Sequence, residues 1–367
     1  MEEKQRAGLT YAAAGVDDDA AAEALEGLLR QLRATLDLPR GAGAPLSGGG
    51  FFASVLHLTD ALKLAVSTDG VGSKAAVAQA AHRYEPIGWD CVAVNVNDVL
   101  CVGARPVALL DYISLQEPRA DLLEALGKGM AEAAERAGVA IVGGELSQHP
   151  DTLTGPRPGY AFDIAGTALG VIEGREPIDG SAVRPGDVII GMSSDGIHAN
   201  GLTLARRVLL PGGKGVDRPL PQCGGTVGDE LLRPTHVYVP EVLALLDAGV
   251  PVHGLAHISG GGLLNLARLN AEAGYRVEAL PPAPPVFEVI REEGDVEVTE
   301  MFRVFNMGVG FCAVAPREAA DDALAALRSA GGEAQVIGVV VDGPRRVEVE
   351  PYHLVGEGGR FAERRRR

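Results

Sequence analysis

The stretch Val66-Ser67-Thr68-Asp69-Gly70-Val71-Gly72-Ser73-Lys74 joins the end of an apolar strand to a turn of small residues, an acid and a lysine. Small residues let backbone N–H groups approach an anion closely. Asp69 is a candidate Mg²⁺ ligand, and Lys74 could neutralise phosphate oxygens. The spacing is not that of a Walker A loop, Gly-x-x-x-x-Gly-Lys-Ser/Thr. Taken alone, the stretch leaves ordinary turn chemistry open as an alternative.

Length and composition indicate a two-domain globular protein. The 367 residues are 46% hydrophobic and can form two domains, each with its own core. The net charge of −16 argues against a nucleic-acid surface but allows a local cationic pocket. The four cysteines form no C-x-x-C pair, which argues against a zinc site or a disulfide framework. Without an apolar run of about 18 residues or a signal peptide, we expect a soluble cytoplasmic protein with no membrane partner.

Acidic side chains also lie in or directly after other apolar segments. Asp98 lies on a helix predicted over 89–102, Asp111 lies inside an apolar strand, and Glu145 ends the sequence Gly-Gly-Glu after the next strand. Open α/β sheets bind ligands at the carboxyl ends of their strands. A structural hydrogen bond or a solvated turn would explain any one of these acids. Together with Asp69, they favour a divalent-cation site.

Three further loops of small residues precede predicted structure. They are Ser194 to Gly201, which contains His198 and Asn200, the run Ser259-Gly260-Gly261-Gly262, and the glycine-rich loop 41–50. A helix N-terminus after such a loop can bind an anion. The alternatives are plain helix capping by Asn200, a histidine with no role, tight helix packing at the glycines and a flexible connector at 41–50.

These segments together resemble the phosphoribosylformylglycinamidine cyclo-ligase family, the aminoimidazole ribonucleotide synthetases, from about residue 11 to residue 340. The matching segments are Tyr11 to Asp17, Thr68 to Lys74, Asn97-Asp98, Leu110-Asp111-Tyr112, Gly143-Gly144-Glu145, Ser194 to Gly201, Pro234 to Tyr238, Ala256 to Gly262 and Met301 to Gly310. The Asp-Gly-x-Gly and Gly-Gly-Glu elements also occur in thiamine-monophosphate kinase, selenophosphate synthetase and a hydrogenase maturation factor. The Pro-Thr-x-x-Tyr, Gly-Gly-Gly and Phe-Asn-x-Gly-Val-Gly elements point to the cyclo-ligase branch.

The sequence departs from the family pattern at three places. Three glycines precede Phe51-Phe52-Ala53, where the family interleaves Gly and Phe. Residues 146–150 read Leu-Ser-Gln-His-Pro in place of Thr-Ala-Glu-Met-Pro, and His236 stands where the family has an arginine. These departures fall where a substrate rather than ATP could be held, so they leave the exact substrate open.

The resemblance implies an α/β (α+β) fold of two domains. Residues 1–174 would bind ATP and metal and form a homodimer through a β-barrel-like interface, which would also bury exposed sheet edges. Residues 175–346 would form a C-terminal α/β domain. Residues 347–367 would be a tail, with a solvated arginine-rich end to which we attach no function.

The resemblance also implies a reaction in purine biosynthesis. ATP would phosphorylate the formamide oxygen of formylglycinamidine ribonucleotide, and an amidine nitrogen would then close the imidazole ring as phosphate leaves. A related ATP-dependent kinase or synthetase, or a nucleotide-binding paralogue without activity, would be an alternative. A selenophosphate synthetase is expected to carry a reactive Cys near its N-terminus, and a hydrogenase maturation factor is expected to end in Cys. In this sequence no Cys precedes Cys91, and the last residue is Arg367.

The site residues implied by the resemblance follow from the matching motifs. Mg²⁺ is expected on Asp69, Asp98 and Glu145, with Asp111 behind or beside them, and a monovalent cation such as K⁺ remains open. Residues expected to contact ATP or phosphate are Thr68, Asp69, Gly70, Gly72, Lys74, Asp111, Ser259, Gly260, Gly261 and Gly262. The expected catalytic residues are Lys74, for the transferring phosphoryl group, and His198 and Asn200, for orienting the substrate or moving a proton.

Overall fold

Two β-sheets, one in each half of the chain, form the framework of the protein. The computed structural model describes residues 8–46 and 50–364. Residues 1–7, the Ser47-Gly48-Gly49 part of the glycine-rich loop 41–50 and residues 365–367 lie outside the described residues.

The helices and strands have the following bounds. The helices are α1 (Tyr11–Ala14), α2 (Asp18–Leu32), α3 (Lys74–Ala81), α4 (Glu85–Leu100), α5 (Ala120–Ala137), α6 (Leu202–Leu209), α7 (Val227–Leu231), α8 (Val239–Asp247), α9 (Val286–Gly294), α10 (Val298–Val304) and α11 (Ala320–Ser329). The strands are β1 (Ser54–Thr59), β2 (Leu62–Gly70), β3 (Arg105–Leu115), β4 (Ala140–Gln148), β5 (Phe162–Glu173), β6 (Val188–Ser193), β7 (Pro219–Leu220), β8 (Gly225–Thr226), β9 (Gly254–His257), β10 (Gly274–Val277), β11 (Val309–Ala315), β12 (Ala334–Val341), β13 (Val347–Val349), β14 (Leu354–Glu357) and β15 (Arg360–Glu363). Short 3₁₀ helices occupy Arg33–Thr35, Pro211–Gly213, Gly262–Arg268, Arg317–Ala319 and Glu350–Tyr352.

The first sheet has the strand order β1-β2-β5-β3-β4, and α4 packs against one of its faces. Neighbouring strands are antiparallel except β3 and β4, which are parallel and connected through α5. Glycines on β5 let α4 lie close to the sheet. A Cβ at Gly166 would lie 2.7 Å from Asn95 Nδ2, and one at Gly170 would lie 2.3 Å from Val99 Cγ1. Larger residues there would push the helix, and the side chains that it carries, away from the sheet.

Helices α4 and α5 also contact each other through glycines. A Cβ at Gly88 of α4 would lie 2.0 Å from the carbonyl oxygen of Leu126, and one at Gly129 of α5 would lie 1.8 Å from that of Glu85. The two backbones are therefore nearly in contact at this crossing. The pair forms a rigid layer behind the sheet, because neither helix has room to shift toward the other.

The opposite face of the first sheet is partly exposed. Leu110 and Tyr112 of β3 alternate with residues that face α4, and they are 38% and 44% exposed. Val142 and Leu146 of the edge strand β4 are also exposed. The described residues of one chain therefore leave large apolar side chains uncovered on this side and along this edge.

The second sheet has the strand order β15-β14-β13-β10-β12-β6-β11-β9. The first sheet ends with Glu173 and the second begins at Val188, so the expected boundary near residue 174 falls between them. The expectation that residues 347–367 form a tail is corrected, because β13, β14 and β15 extend the second sheet through Glu363. Short strands paired by local hairpins carry little hydrophobic signal, which is why this segment read as a tail.

The N-terminal helix α2 keeps its apolar stripe exposed. Asp17 caps the start of this helix, because its side chain accepts a hydrogen bond from the Ala20 N–H at 3.0 Å. Leu25, Leu28 and Leu32 are about half exposed. Within residues 8–46 and 50–364, no helix combines the length and apolar character that crossing a membrane would require.

Candidate active site

The carboxylates of Asp69 and Asp98 lie near each other where β2 ends against α4. The Asp69 N–H donates to Asn95 Oδ1 at 2.8 Å, and Asn95 Nδ2 donates back to the Asp69 carbonyl at 3.1 Å. This pair of bonds fixes the end of β2 to the helix, which carries Asp98 one turn further on. Burial, followed by the charge of Asp98, raises the pKa of Asp69 above its usual value. Neither carboxylate forms an ion pair with a lysine or arginine of the described chain.

A histidine from the second sheet reaches the same place. His257, the last residue of β9, lies with Nδ1 2.8 Å from Asp98 Oδ1. Its Nε2 is buried and has no hydrogen-bond partner among residues 8–46 and 50–364. The site is therefore built from both domains, with two acids from the first and a histidine from the second. His257 belongs to one of the matching motifs, but its role was not predicted from the sequence.

Asp111 lies across β5 from Asp69, on the same face of the sheet. Both Asp69 and Asp111 lie opposite Gly166 in the strand register, on the face that α4 covers. Burial raises the pKa of Asp111. Gly144 on β4 leaves space for this carboxylate, since a Cβ there would lie 2.4 Å from Asp111 Oδ1. The second glycine of the Gly-Gly-Glu segment therefore makes room for the Asp111 carboxylate.

Glu145 does not join Asp69 and Asp98 within one chain. It pairs with Tyr112 in the register, so its side chain lies on the opposite face of the sheet from Asp111, and it is exposed. Over the described part of the chain, no group of three His, Cys, Asp or Glu side chains is placed to hold one metal ion. The expected set of Asp69, Asp98 and Glu145 is therefore not preassembled. A strand reverses its side chains at every residue, and the sequence alone did not reveal the register of β4.

The end of β2 and the turn that follows it place their residues in different environments. Thr68 Oγ1 donates to the Gly166 carbonyl at 2.8 Å and lies on the outer face of the sheet, away from Asp69. The Gly70 N–H donates to Asp69 Oδ1 at 2.7 Å and steadies that carboxylate. Gly72 has a φ of +67°, a conformation that favours glycine.

Lys74 occupies a different environment from the one expected. Its side chain is fully buried, with Nζ 2.5 Å from Asp90 Oδ2 and 2.6 Å from the carbonyl oxygen of Arg233. Burial lowers the pKa of Lys74, and Asp90 opposes that shift. A contact between Lys74 and a phosphate would require this buried ion pair to break. The sequence did not predict this ion pair, because Lys74 and Asp90 lie on different helices and nothing in their spacing brings them together.

The loop after β6 presents a buried, neutral histidine. His198 has a φ of +67°, is 3% exposed, and neither ring nitrogen has a partner in the described chain. Burial, with the nearby His257 and His236, lowers the pKa of His198 well below its usual value. Gly310 makes room for the ring, since a Cβ there would lie 2.6 Å from His198 Cε1. A neutral imidazole with free nitrogens can hydrogen-bond to a ligand as donor or acceptor.

The glycine-rich loop at 259–262 borders a cavity of about 640 Å³. Gly260, Gly261 and Asn200 line it, and Arg268 and Arg303 contribute positive charge. Gly262 has a packing role instead, because a Cβ there would lie 2.4 Å from the Phe302 carbonyl oxygen.

Ser259 directly precedes the lining glycines, and the N-terminal segment borders the same cavity. Ser259 Oγ accepts a hydrogen bond from Asn265 Nδ2 at 3.4 Å. Tyr11 and Asp18 also line the cavity, so the N-terminal segment forms part of its wall. Neither Tyr11 nor Asp18 was expected at the site from the sequence. Tyr11 begins one of the matching motifs, and this could have indicated its place there.

The segment 235–238 ties the two domains together beside the site. Asp90 Oδ1 accepts from the Thr235 N–H at 2.7 Å, and Trp89 Nε1 donates to the Thr235 carbonyl at 2.7 Å. Asn97 Nδ2 donates to the His236 carbonyl at 2.8 Å, while its Oδ1 accepts from the Tyr238 N–H at 3.0 Å. Helix α4 therefore holds the second domain through side chains that precede Asp98 on the same helix.

Comparisons with known proteins agree with this architecture. Residues 50–172 match the family model described as AIR synthase related protein, N-terminal domain, and residues 184–350 match the corresponding C-terminal domain. A solved thiamine-monophosphate kinase from Stenotrophomonas maltophilia has 23% identity and a TM-score of 0.61, over 89% of this chain and 96% of that chain. A structure described as AaThiL complexed with AMPPCP and TMP has 18% identity and a TM-score of 0.62, over 89% and 93%. The chain is thus a two-domain protein of the AIR synthase-related class, which confirms the predicted fold.

Curated relatives define the branch within that class. Similar proteins from Thermococcus kodakarensis (47% identity over 94% of this chain and 99% of the relative) and Methanothermobacter thermautotrophicus (44% over 93% and 97%) are both named phosphoribosylformylglycinamidine cyclo-ligase. The chain belongs to the phosphoribosylformylglycinamidine cyclo-ligase family. The resemblance drawn from the motifs is confirmed.

Proposed function

We propose that this chain catalyses the ATP-dependent ring closure of formylglycinamidine ribonucleotide to 5-aminoimidazole ribonucleotide, ADP and phosphate. The γ-phosphoryl group of ATP passes to the formamide oxygen, and ADP leaves. An amidine nitrogen then attacks the activated carbon and loses a proton, the C–O bond breaks, and phosphate leaves. The amide oxygen is a poor leaving group until it is phosphorylated. The protein contributes mainly positioning and charge neutralisation.

The observation that carries this proposal is the pair of carboxylates Asp69 and Asp98. The membership of the chain in the cyclo-ligase family supports the same reaction. The two carboxylates lie close enough for one charge to raise the pKa of the other, and they have no lysine or arginine partner in the described chain. Like charges held together in this way favour a bound cation. The site also adjoins His257, whose buried Nε2 has no hydrogen-bond partner in the described chain.

The residues at this site fit Mg²⁺. Carboxylate oxygens are its preferred protein ligands, and Asp69 and Asp98 would hold it, with Asp111 beside them. When bound, Mg²⁺ neutralises phosphate oxygens of ATP. Glu145 stands outside this set within one chain. We give Lys74 a structural role, because its charge is already used by Asp90.

We assign the cavity bordered by Gly260 and Gly261 to a phosphate-bearing ligand. Small residues there allow the backbone to approach an anion. Arg268 makes no ion pair with a described carboxylate, and its guanidinium lies 4.0 Å from the centre of the Phe52 ring. Asn200 lines this cavity and would orient the ribonucleotide there. His198, two residues earlier in the same loop, stays a further candidate for orienting it.

We also propose that two copies of the chain associate through the exposed face and edge of the first sheet. Leu110, Tyr112 and Val142 are large apolar side chains that a partner sheet would cover. A barrel built from two such sheets would also pair the edge strand β4. Because the reaction consumes ATP, the cytoplasm is the compartment in which we expect it to proceed.

A purified-protein assay for ADP release tests the proposed reaction. Wild-type protein should release ADP only when formylglycinamidine ribonucleotide is present. Asp69→Asn should abolish this turnover with an unchanged melting temperature, because it removes charge at the cation site and keeps the shape of the side chain. Asp60→Asn is the matched control, since Asp60 is fully exposed in the turn after β1. Full activity of Asp69→Asn, or ADP release that ignores the ribonucleotide, would refute the proposal.

A further inference from the structure

His236 lies between two carboxylates, and each of its ring nitrogens faces one of them. Nδ1 is 2.8 Å from Asp195 Oδ2, and Nε2 is 3.0 Å from Glu241 Oε1. A neutral imidazole has a single N–H, and an ionised carboxylate can only accept. Both contacts are hydrogen bonds at once only when the ring carries two N–H groups. The geometry therefore describes an imidazolium between two carboxylates.

The two carboxylates belong to different parts of the second domain. Asp195 is in the loop after β6, three residues before His198, whereas Glu241 is in the first turn of α8. Glu241 also accepts a hydrogen bond from Arg136 Nη2 of α5 at 3.1 Å. His236 therefore connects the loop that carries His198 to α8, and through Arg136 to the first domain.

Other elements also hold the loop near Asp195. The Ser194 N–H donates to the Gly308 carbonyl at 3.0 Å, and Ser194 Oγ donates to Asn306 Oδ1 at 2.8 Å. Asn306 Nδ2 donates to the carbonyl oxygens of Gly196 and Ile197 at 2.8 and 3.2 Å, and Tyr238 Oη donates to the Ser193 carbonyl at 2.8 Å. Within the described chain, the Asp195 side chain hydrogen-bonds only to His236. His198 itself adopts a positive φ that non-glycine residues rarely occupy, so its conformation depends on how the surrounding loop is held.

We propose that His236, as an imidazolium bound to both Asp195 and Glu241, is a positioning residue that fixes the His198 loop against α8. Its side chain makes these contacts within the protein rather than with a substrate. An arginine at this position, as in the family pattern, can donate to two carboxylates in a similar way. The activity part of this inference rests on the proposed function, whereas the structural part does not.

The charged groups around His236 support the cationic form. Asp195 faces His236 from the loop, and Glu241 faces it from α8. Two cations lie nearby: Arg136 of α5 donates a hydrogen bond to Glu241, and the charge of Arg233 acts on Asp195. Burial lowers the pKa of His236, but the hydrogen bonds and charges of Asp195 and Glu241 outweigh burial and raise this pKa to about 9. At neutral pH the ring is therefore charged, and it loses its proton only in the alkaline range.

The first experiment reads the protonation state directly. In protein labelled with ¹⁵N at histidine, long-range ¹H–¹⁵N spectra should show both His236 nitrogens protonated at pH 7.5, with a transition near pH 9. The signals are assigned by their loss in His236→Gln. A single neutral tautomer at pH 7.5 would overturn the proposal, and this result does not depend on which reaction the protein catalyses.

The second experiment asks whether His236 holds the loop. Hydrogen–deuterium exchange of peptides covering 194–200 should be faster in His236→Gln than in wild type, and should return to the wild-type rate in His236→Arg. His57→Gln, on the edge strand β1, is the control. Unchanged exchange in His236→Gln, with its fold verified by circular dichroism, would overturn the proposal.

Activity supplies the third readout. The kcat of His236→Gln should fall by about 10- to 100-fold, the effect of misplacing a reacting group by on the order of 1 Å. In wild-type protein, kcat should decline as the pH rises through about 9, where His236 loses its proton. His236→Arg should restore kcat and should not show this decline, because arginine stays charged at that pH. Failure of His236→Arg to flatten that decline would contradict the assignment. If wild-type protein shows no turnover, the proposed function fails while the exchange and spectroscopic results still decide the role of His236.

Discussion

Replacing Lys74 by methionine should destabilise the folded protein strongly. The Lys74 and Asp90 side chains are both fully buried and 2.5 Å apart, so the variant leaves the Asp90 carboxylate buried without its cation. Removing one partner of a buried ion pair costs about 3–5 kcal/mol. The variant also removes the hydrogen bond from Lys74 to the Arg233 carbonyl oxygen. We expect the urea midpoint and the melting temperature to fall, the latter by on the order of 10 °C.

The double variant Lys74→Met/Asp90→Asn separates the ion pair from lost packing. Asparagine keeps the Oδ1 acceptor for the Thr235 N–H but removes the unpaired charge. It should recover a large part of the lost stability, and a double-mutant cycle gives the coupling energy. Lys128→Met, at an exposed position on α5, is the matched control and should change stability by less than about 0.5 kcal/mol.

The unfolding measurements are made without nucleotide. If Lys74 mainly contacts a phosphate, Lys74→Met would keep wild-type stability and lose only nucleotide affinity. That outcome would refute the structural role of Lys74 and restore the role expected from the motif.

Three further predictions concern packing, pH and association. Gly129→Ala should cost about 1–3 kcal/mol, because the new methyl group would meet the Glu85 carbonyl oxygen, whereas Gly127→Ala in the same helix has open space and should be neutral or stabilising in urea unfolding. The pKa of His236 is raised to about 9, so the contribution of its charged form to stability is complete below about pH 6.5 and is lost as the pH rises through 9. In melting experiments, His236→Arg should not show this alkaline loss of stability. Tyr112→Asp should shift the protein to a monomer in sedimentation experiments, because it places a charge on the exposed sheet face, whereas Asp60→Asn should leave the oligomeric state unchanged.

Sequence periodicity predicted the elements that carry the site. The apolar run before Asp69, the helix around Asp98 and the strand around Asp111 all occur as expected, because local alternation and helical spacing are visible in the residues themselves. Asp69 near the end of β2 and Asp111 inside β3 also have the strand positions expected for them, and both lie opposite Gly166 because each strand pairs with β5.

Pairings between distant residues could not be predicted in the same way. Lys74 is paired with Asp90 instead of facing a ligand, and Glu145 faces away from the other acids because of the register of β4. His236 read as a substrate residue, but its partners Asp195 and Glu241 come from separate elements. Such contacts depend on tertiary packing, and motif spacing within one sequence contains no information about it.

The bonds between α4 and segment 235–238 also determine how a ligand can enter. A hinge motion that separates the two domains would have to break four hydrogen bonds made by Trp89, Asp90 and Asn97. The N-terminal wall of the cavity is held by contacts with α10, including the hydrogen bond from the Tyr11 N–H to Glu300 Oε1 at 2.6 Å and the ion pair between Arg303 and Asp18 at 3.6 Å. Widening the cavity by moving the N-terminal segment would leave the four hydrogen bonds between α4 and segment 235–238 intact, whereas separating the domains would break them.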